Sequence, residues 1–199
     1  MRTFVATKNL GKLAEMRAIF AGSALELETY PSFADVIEGA ETYTGNARLK
    51  AAALRAQLIV AGVQGAVIAD DSGLEAAALN GRPGVFSACY AGVDATWTVR
   101  RQELLDEIRA TRSEDRSAKF VCAMVLLLPD GTEIDALGEI RGRIVEQIRG
   151  ESGFGYDPLF VADGDTRTFA ELSEQEKNAT SHRGRAAAAL LAALSDRRV

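Results

Sequence analysis

In the first half of the chain, short apolar runs alternate with stretches of helical periodicity. That alternation confines the fold to helices layered on a sheet. Arg2 to Ala6 reads as a strand, and Leu13, Met16 and Phe20 recur behind it at helical spacing. Leu25 to Tyr30 alternates apolar and polar residues as a second strand does. Thr42 or Thr44 can cap a long helix with Ala47, Leu54, Leu58 and Ala61 along one stripe, stopped by Gly62. Ala66 to Ala69 is a buried strand leading into an acidic turn, Asp70-Asp71-Ser72-Gly73. Thr96 can cap a helix carrying Leu104, Leu105 and Ile108. Ala118 to Leu128 and Glu133 to Ile140 flank Pro129-Asp130-Gly131, the pattern of a hairpin. Ser173 with Glu176 fits a capping box, and the alanine-rich stretch from Arg183 to Leu194 is helical. No linker or repeat interrupts this order, so residues 1–199 read as one α/β domain with a mixed sheet.

Composition then restricts the chemistry. At 199 residues, 47% hydrophobic and 26% charged, the chain can bury a substantial core and matches ordinary globular usage. A net charge of −5 argues against binding a nucleic acid polymer, which needs a basic face. No apolar run approaches the ~20 residues of a membrane span, and the first residues lack the apolar core of a secretory signal, so a cytoplasmic location is expected. His182 is the single histidine, and Cys89 and Cys122 form no CxxC pair. Multi-histidine metal sites, zinc knots and disulfide frameworks are thereby disfavoured. With no GxSxG elbow either, the chemistry falls to carboxylates, lysines and backbone amides.

Four polar segments stand where such groups concentrate. Thr7-Lys8-Asn9-Leu10-Gly11-Lys12, between the first strand and helix, offers an anion a helix N-terminus and two lysines, although it is not a P-loop. Taken alone, it reads equally well as a solvated loop. Adjacent Asp70 and Asp71 on a strand point to opposite faces, so one of them can join a second acid to hold Mg²⁺. Glu38 is that second acid and Asp71 the favoured partner, while Asp70 reads better as a helix or turn cap. In Gly153-Phe154-Gly155-Tyr156-Asp157-Pro158 the glycines permit close backbone approach, and an exposed ring can stack on a base. A tight turn around a core aromatic explains that segment equally well. The fourth segment is Lys177 followed by Ser181-His182-Arg183 just before the last helix. A lone histidine is more often structural than catalytic, but next to an arginine at a helix start it supplies donors facing outward.

TKNLGK, ADDSGLE, GFGYDPLF and EKNATSHRG, in this order, resemble the inosine triphosphate pyrophosphatase family, also called dITP/XTP pyrophosphatases. The resemblance covers essentially the whole chain. It implies a two-lobed single domain around a long mixed β-sheet with the nucleotide in the cleft between lobes, and a homodimer. It further implies Mg²⁺-dependent hydrolysis of ITP, dITP and XTP to the monophosphate and pyrophosphate. Matched to the family pattern, Thr7, Lys8, Asn9, Leu10, Gly11 and Lys12 surround the triphosphate. Glu38 and Asp71 bind the metal, and Asp71 also serves as general base. Ser72, Phe154, Gly155, Tyr156, Asp157, Lys177, His182 and Arg183 supply the remaining nucleotide contacts. One departure is visible: relatives often carry Glu-Asn-Ala where this chain has Gly45-Asn46-Ala47.

Hydrolysis of a phosphoanhydride requires in-line placement of water and neutralisation of phosphate charge rather than covalent catalysis. Asp71 would orient the water, and Lys8, Lys12 and Lys177 would offset charge. Donors from His182, Arg183 or nearby backbone amides would read the 6-oxygen of the base. The competing readings are a pyrophosphatase for another nucleotide and a sensor that binds without turnover. The pairing of Glu38 with Asp71 disfavours the sensor.

Overall fold

The computed structural model describes residues 1–34 and 36–197. Among these residues six strands form one sheet in the order β2-β1-β3-β4-β5-β6. They are β1 (Arg2–Val5), β2 (Glu26–Thr29), β3 (Ala66–Ala76), β4 (Ser117–Leu127), β5 (Glu133–Ile144) and β6 (Phe160–Ala162). β1 runs parallel to β2 and β3, whereas β5 and β6 are antiparallel, so the sheet is mixed. Among the described residues five α-helices accompany it: α1 (Leu10–Ile19), α2 (Tyr43–Val60), α3 (Trp97–Ala110), α4 (Glu174–Thr180) and α5 (His182–Asp196).

The expected caps are present. Thr42, rather than Thr44, accepts from Gly45 N–H at the start of α2, and Thr96 accepts from Val99 N–H at the start of α3. Ser173 and Glu176 cap α4 reciprocally. Gly62, with φ +66°, follows α2 in a conformation that a side chain would resist. At the hairpin, Leu128 N–H donates to Thr132 C=O at 2.8 Å across Pro129-Asp130-Gly131.

The main correction concerns the acidic segment. Asp70-Asp71-Ser72-Gly73 is not a turn: β3 continues through it to Ala76, and Asp70 and Asp71 are buried. Polar side chains do not end a strand by themselves: β1 pairs with β3 only over Ala66–Ile68, yet the extended backbone continues through both aspartates.

The chain divides into two compact units, Met1–Asp71 with Cys122–Gly138 and His182–Val199, and Ser72–Val121 with Glu139–Ser181. In the first unit, the period of two along β3 separates two cores. Ala66 and Ile68 pack with Leu13 and Met16 of α1 and with Ala186, Ala187 and Leu190 of α5. Val67 and Ala69 pack on the opposite side with Ala47, Ala51, Leu54 and Leu58 of α2. Gly138 admits the α5 backbone, since a Cβ there would lie 2.2 Å from the His182 carbonyl oxygen. The second unit closes around Leu74, Leu104, Leu105, Ile108, Phe120, Tyr156, Phe160 and Phe169. Phe160 packs edge-on against both Phe120 and Phe169, at 4.8 and 5.0 Å between ring centres.

Candidate active site

Because β3 alternates, its two acids enter different environments within the first unit. Asp71, on the α2 side, accepts from Asn46 Nδ2 at 3.2 Å and from Lys50 Nζ at 3.3 Å. The same ammonium donates to Glu38 Oε1 at 3.1 Å. One cation thus sits between Glu38 and Asp71, the two acids expected from sequence to hold a metal. Asn46 and Lys50 are four residues apart, on one face of α2. Asn46 also accepts from Ala40 N–H at 2.9 Å, fastening the chain near Glu38 to the same helix. Sequence reasoning missed both residues. The available signal was a lysine within the apolar stripe formed by Ala47, Leu54 and Leu58, a position where a surface lysine has no place.

Burial opposes the charge of Lys50, but Asp71, Asp70 and Glu38 outweigh it and raise its pKa. Burial likewise pushes the Asp71 carboxyl above its ordinary value; Glu38 and Asp70 add to this while Lys50 and Lys12 oppose it. Among the described residues no three His, Cys, Asp or Glu side chains gather as a metal cage. Two hard oxygen donors spanned by a single cation suit Mg²⁺, which keeps much of its water and borrows ligands from phosphates. The residues therefore fit the metal.

Asp70, on the opposite side, is not the cap expected from sequence. Its Oδ2 accepts from Arg183 Nη2 at 3.0 Å and lies 3.4 Å from Lys12 Nζ. Burial disfavours its ionisation, but Lys12, Arg183 and Lys50 together hold the carboxyl well below the usual carboxylate range. Arg183 reaches Glu15 of α1 with its other arm. His182 and Arg183 thus do not present donors outward, as expected: they are 4% and 1% exposed. At a helix that starts against a sheet, the guanidinium finds a buried carboxylate rather than water.

The Thr7–Lys12 segment forms the entry to α1. Thr7 Oγ1 accepts from Asn9 N–H, and Asn9 caps the helix by accepting from Lys12 N–H at 3.1 Å. First-turn amides have no intrahelical acceptor. Among the described residues those of Leu10 and Gly11 stay available to an anion, with exposed Lys8 alongside in sequence.

In the second unit, Phe154, Asp157 and Lys177 come together, while Ser72 is half-buried on β3. Lys177 Nζ donates to Asp157 Oδ2 at 2.6 Å and stands 5.0 Å from the Phe154 ring centre. Asp157 also accepts from Phe154 N–H at 2.8 Å, and Gly155 C=O accepts from Arg101 Nε at 2.6 Å. Phe154 is half-buried rather than an open platform, and Lys177 is buried in an ion pair. Tyr156 is a core residue: its ring lies edge-on to Trp97 at 5.4 Å and its hydroxyl donates to Ser87 C=O at 3.3 Å. Its glycine neighbours build the turn, and the aromatic fills the core.

The sequence pattern of the Ham1 family matches residues 3–193. The chain is 44% identical over 195 residues to the dITP/XTP pyrophosphatase of Streptomyces coelicolor, covering 96% of this chain and 95% of that one. It is 43% identical over 193 residues to the dITP/XTP pyrophosphatase of Geobacter sulfurreducens, covering 95% and 94%. Among solved structures, a HAM1 protein from Coxiella burnetii superposes with a TM-score of 0.86 at 39% identity, over 98% of this chain and 99% of that one. The Staphylococcus aureus Ham1 protein gives 0.82 at 36% identity, over 99% and 100%.

Proposed function

The chain belongs to the Ham1 family, and on that premise we propose that it is a magnesium-dependent pyrophosphohydrolase of ITP, dITP and XTP. It hydrolyses the anhydride bonds of nucleoside triphosphates, the activity for which its relatives are named. The observation that carries the reading is the bridge of Lys50 to Glu38 and Asp71, at 3.1 and 3.3 Å. It marks a place where two carboxylates share one positive charge beside the lysine-bearing entry to α1.

Magnesium held by Glu38 and Asp71 supplies neutralisation of phosphate charge. The Leu10 and Gly11 amides and the Lys8 and Lys12 ammonium groups bind the triphosphate and set its direction. Asp71 orients water toward the α-phosphorus and accepts its proton, leaving a nucleoside monophosphate and pyrophosphate. Base choice rests on the 6-oxygen of ITP and XTP, an acceptor where ATP has a donor amine; a site built around that hydrogen bond rejects the analogue lacking it. The consequence in the cell is removal of altered purine nucleotides from the triphosphate pool. We also propose a homodimer, which sedimentation at micromolar concentration tests directly.

The decisive experiment is a screen of ITP, dITP, XTP, GTP and ATP for pyrophosphate release, with Mg²⁺ and after chelation. Release from the first three, lost in chelator and restored by Mg²⁺ alone, is the expected result. Full activity in chelator, rescue by zinc only, or release of orthophosphate instead would overturn the reading.

A further inference from the structure

We propose that Asp70 is a positioning residue that holds Lys12 in reserve, an internal anion competing with phosphate for the same ammonium group. The inference rests on the pyrophosphohydrolase reading above and adds to it a control on how tightly the leaving pyrophosphate is held.

Lys12, Asp70, Arg183 and Glu15 form a line of alternating charge within the first unit. Its inner link is fixed. Arg183 and Asp70 are each 1% exposed and meet at 3.0 Å, with a second contact from Arg183 Nε at 3.3 Å. The outer link is looser, because Lys12 keeps 16% of its side chain exposed and stands 3.4 Å away. Asp70 Oδ1 is buried and has no hydrogen-bond partner among the described residues, so the carboxylate retains accepting capacity beyond Arg183. Lys12 lies one helical turn from the cap of α1, beside the amides available to an anion. A phosphate arriving there must share this ammonium with Asp70. Competition of this kind lowers affinity for the bound anion and thereby speeds its departure.

Removing the competing charge should therefore tighten pyrophosphate binding, a gain that a purely structural role for Asp70 does not produce. The test is calorimetric titration of the whole protein with magnesium pyrophosphate, which needs no turnover. Wild type is expected to bind, and Asp70→Asn to bind about fivefold more tightly, the scale of one partly exposed charge pair. In a Lys12→Gln background, Asp70→Asn should change affinity by less than about twofold, because the competing pair is already broken. Should Asp70→Asn not fold, Asp70→Asn/Arg183→Met removes both halves of the buried pair, preserves net charge, and should also bind more tightly than wild type. Equal or weaker binding by the folded variants, or an undiminished effect in the Lys12→Gln background, overturns the role of Asp70 and leaves the pyrophosphohydrolase reading standing. No pyrophosphate binding by wild type overturns the reading beneath it.

Discussion

Asp70 and Asp71 are consecutive on β3 and face opposite sides of it, the first toward Lys12 and Arg183, the second toward Lys50 and Asn46. An acidic pair in the sequence is thus two separate devices in the fold, and mutation should separate them.

Asp71→Asn keeps the shape and removes the charge shared with Lys50. Turnover should fall ~10²–10⁴-fold, the usual scale for a positioned base or metal contact, with nucleotide binding largely retained. Steady-state rates alongside direct nucleotide binding check this. A variant with more than half of wild-type kcat contradicts the assignment.

Asp70→Asn removes one of the two carboxylates paired with buried Arg183 and leaves Glu15 alone to offset it, a loss of up to about 3–5 kcal/mol at neutral pH. The sign follows from the depressed pKa of Asp70. A carboxylate ionised more readily when folded contributes stability above the unfolded value near pH ~4, and loses it as pH falls further toward the folded value. Denaturant unfolding of wild type and variant should therefore show a gap that is constant from about pH 5 to 7 and narrows in acid. Arg183→Ala should show a neutral-pH loss of the same order, because this guanidinium serves the buried pair.

Asn46→Ala cuts the link from Asp71 to Ala40. Partners that orient a metal ligand are typically worth about 10–100-fold. The Mg²⁺ concentration for half-maximal activity should rise by such a factor, with little change in thermal stability; an unchanged metal requirement contradicts the role.

Gly45→Ala should separate stability from activity. A Cβ at this position would come within 2.7 Å of Ala40 Cβ and 2.9 Å of Thr42 Oγ1, so the segment preceding α2 must shift. Alanine favours the helix by up to about 1 kcal/mol, yet the shift moves Ala40, and with it the tether near Glu38. The expected outcome is a Tm no lower than wild type and a raised Mg²⁺ requirement.

Cys122 is buried 4.0 Å from Asp70 Oδ2, and burial pushes its thiol up to about 12, whereas Cys89 is exposed. A thiol reagent at pH 8 should modify one cysteine in the native protein and two after denaturation. Two fast reactions in the native state would show the core around Asp70 to be open.

Much of the architecture was legible because it rests on local rules. Thr42, Thr96 and the Ser173–Glu176 box start helices by satisfying their own backbone, and the stripe from Ala47 to Leu58 names its buried face. Of the candidate site, residue type alone singles out Glu38 and Asp71, and the fold brings these two acids to one ammonium group. What stayed hidden depends on partners remote in sequence. β3 runs through two aspartates because Lys12, Lys50 and Arg183 arrive from three different helices, and no local pattern announces that convergence. Arg183 beside a helix start looks solvated until the sheet beneath it supplies an acid. Lys50 was passed over for the opposite reason: a lysine in an apolar stripe reads as an interruption unless a carboxylate is known to await it.

Three side chains of one helix, Asn46, Lys50 and Gln57, reach back to Ala40, Glu38 and Ala34, the last through both its N–H and its C=O. The stretch from Glu38 to Ala40 is thereby tied to α2 by side chains of the protein itself. Its conformational entropy is lost when the protein folds, so binding does not have to overcome it again, and what the site gains from metal and phosphate is expressed as affinity.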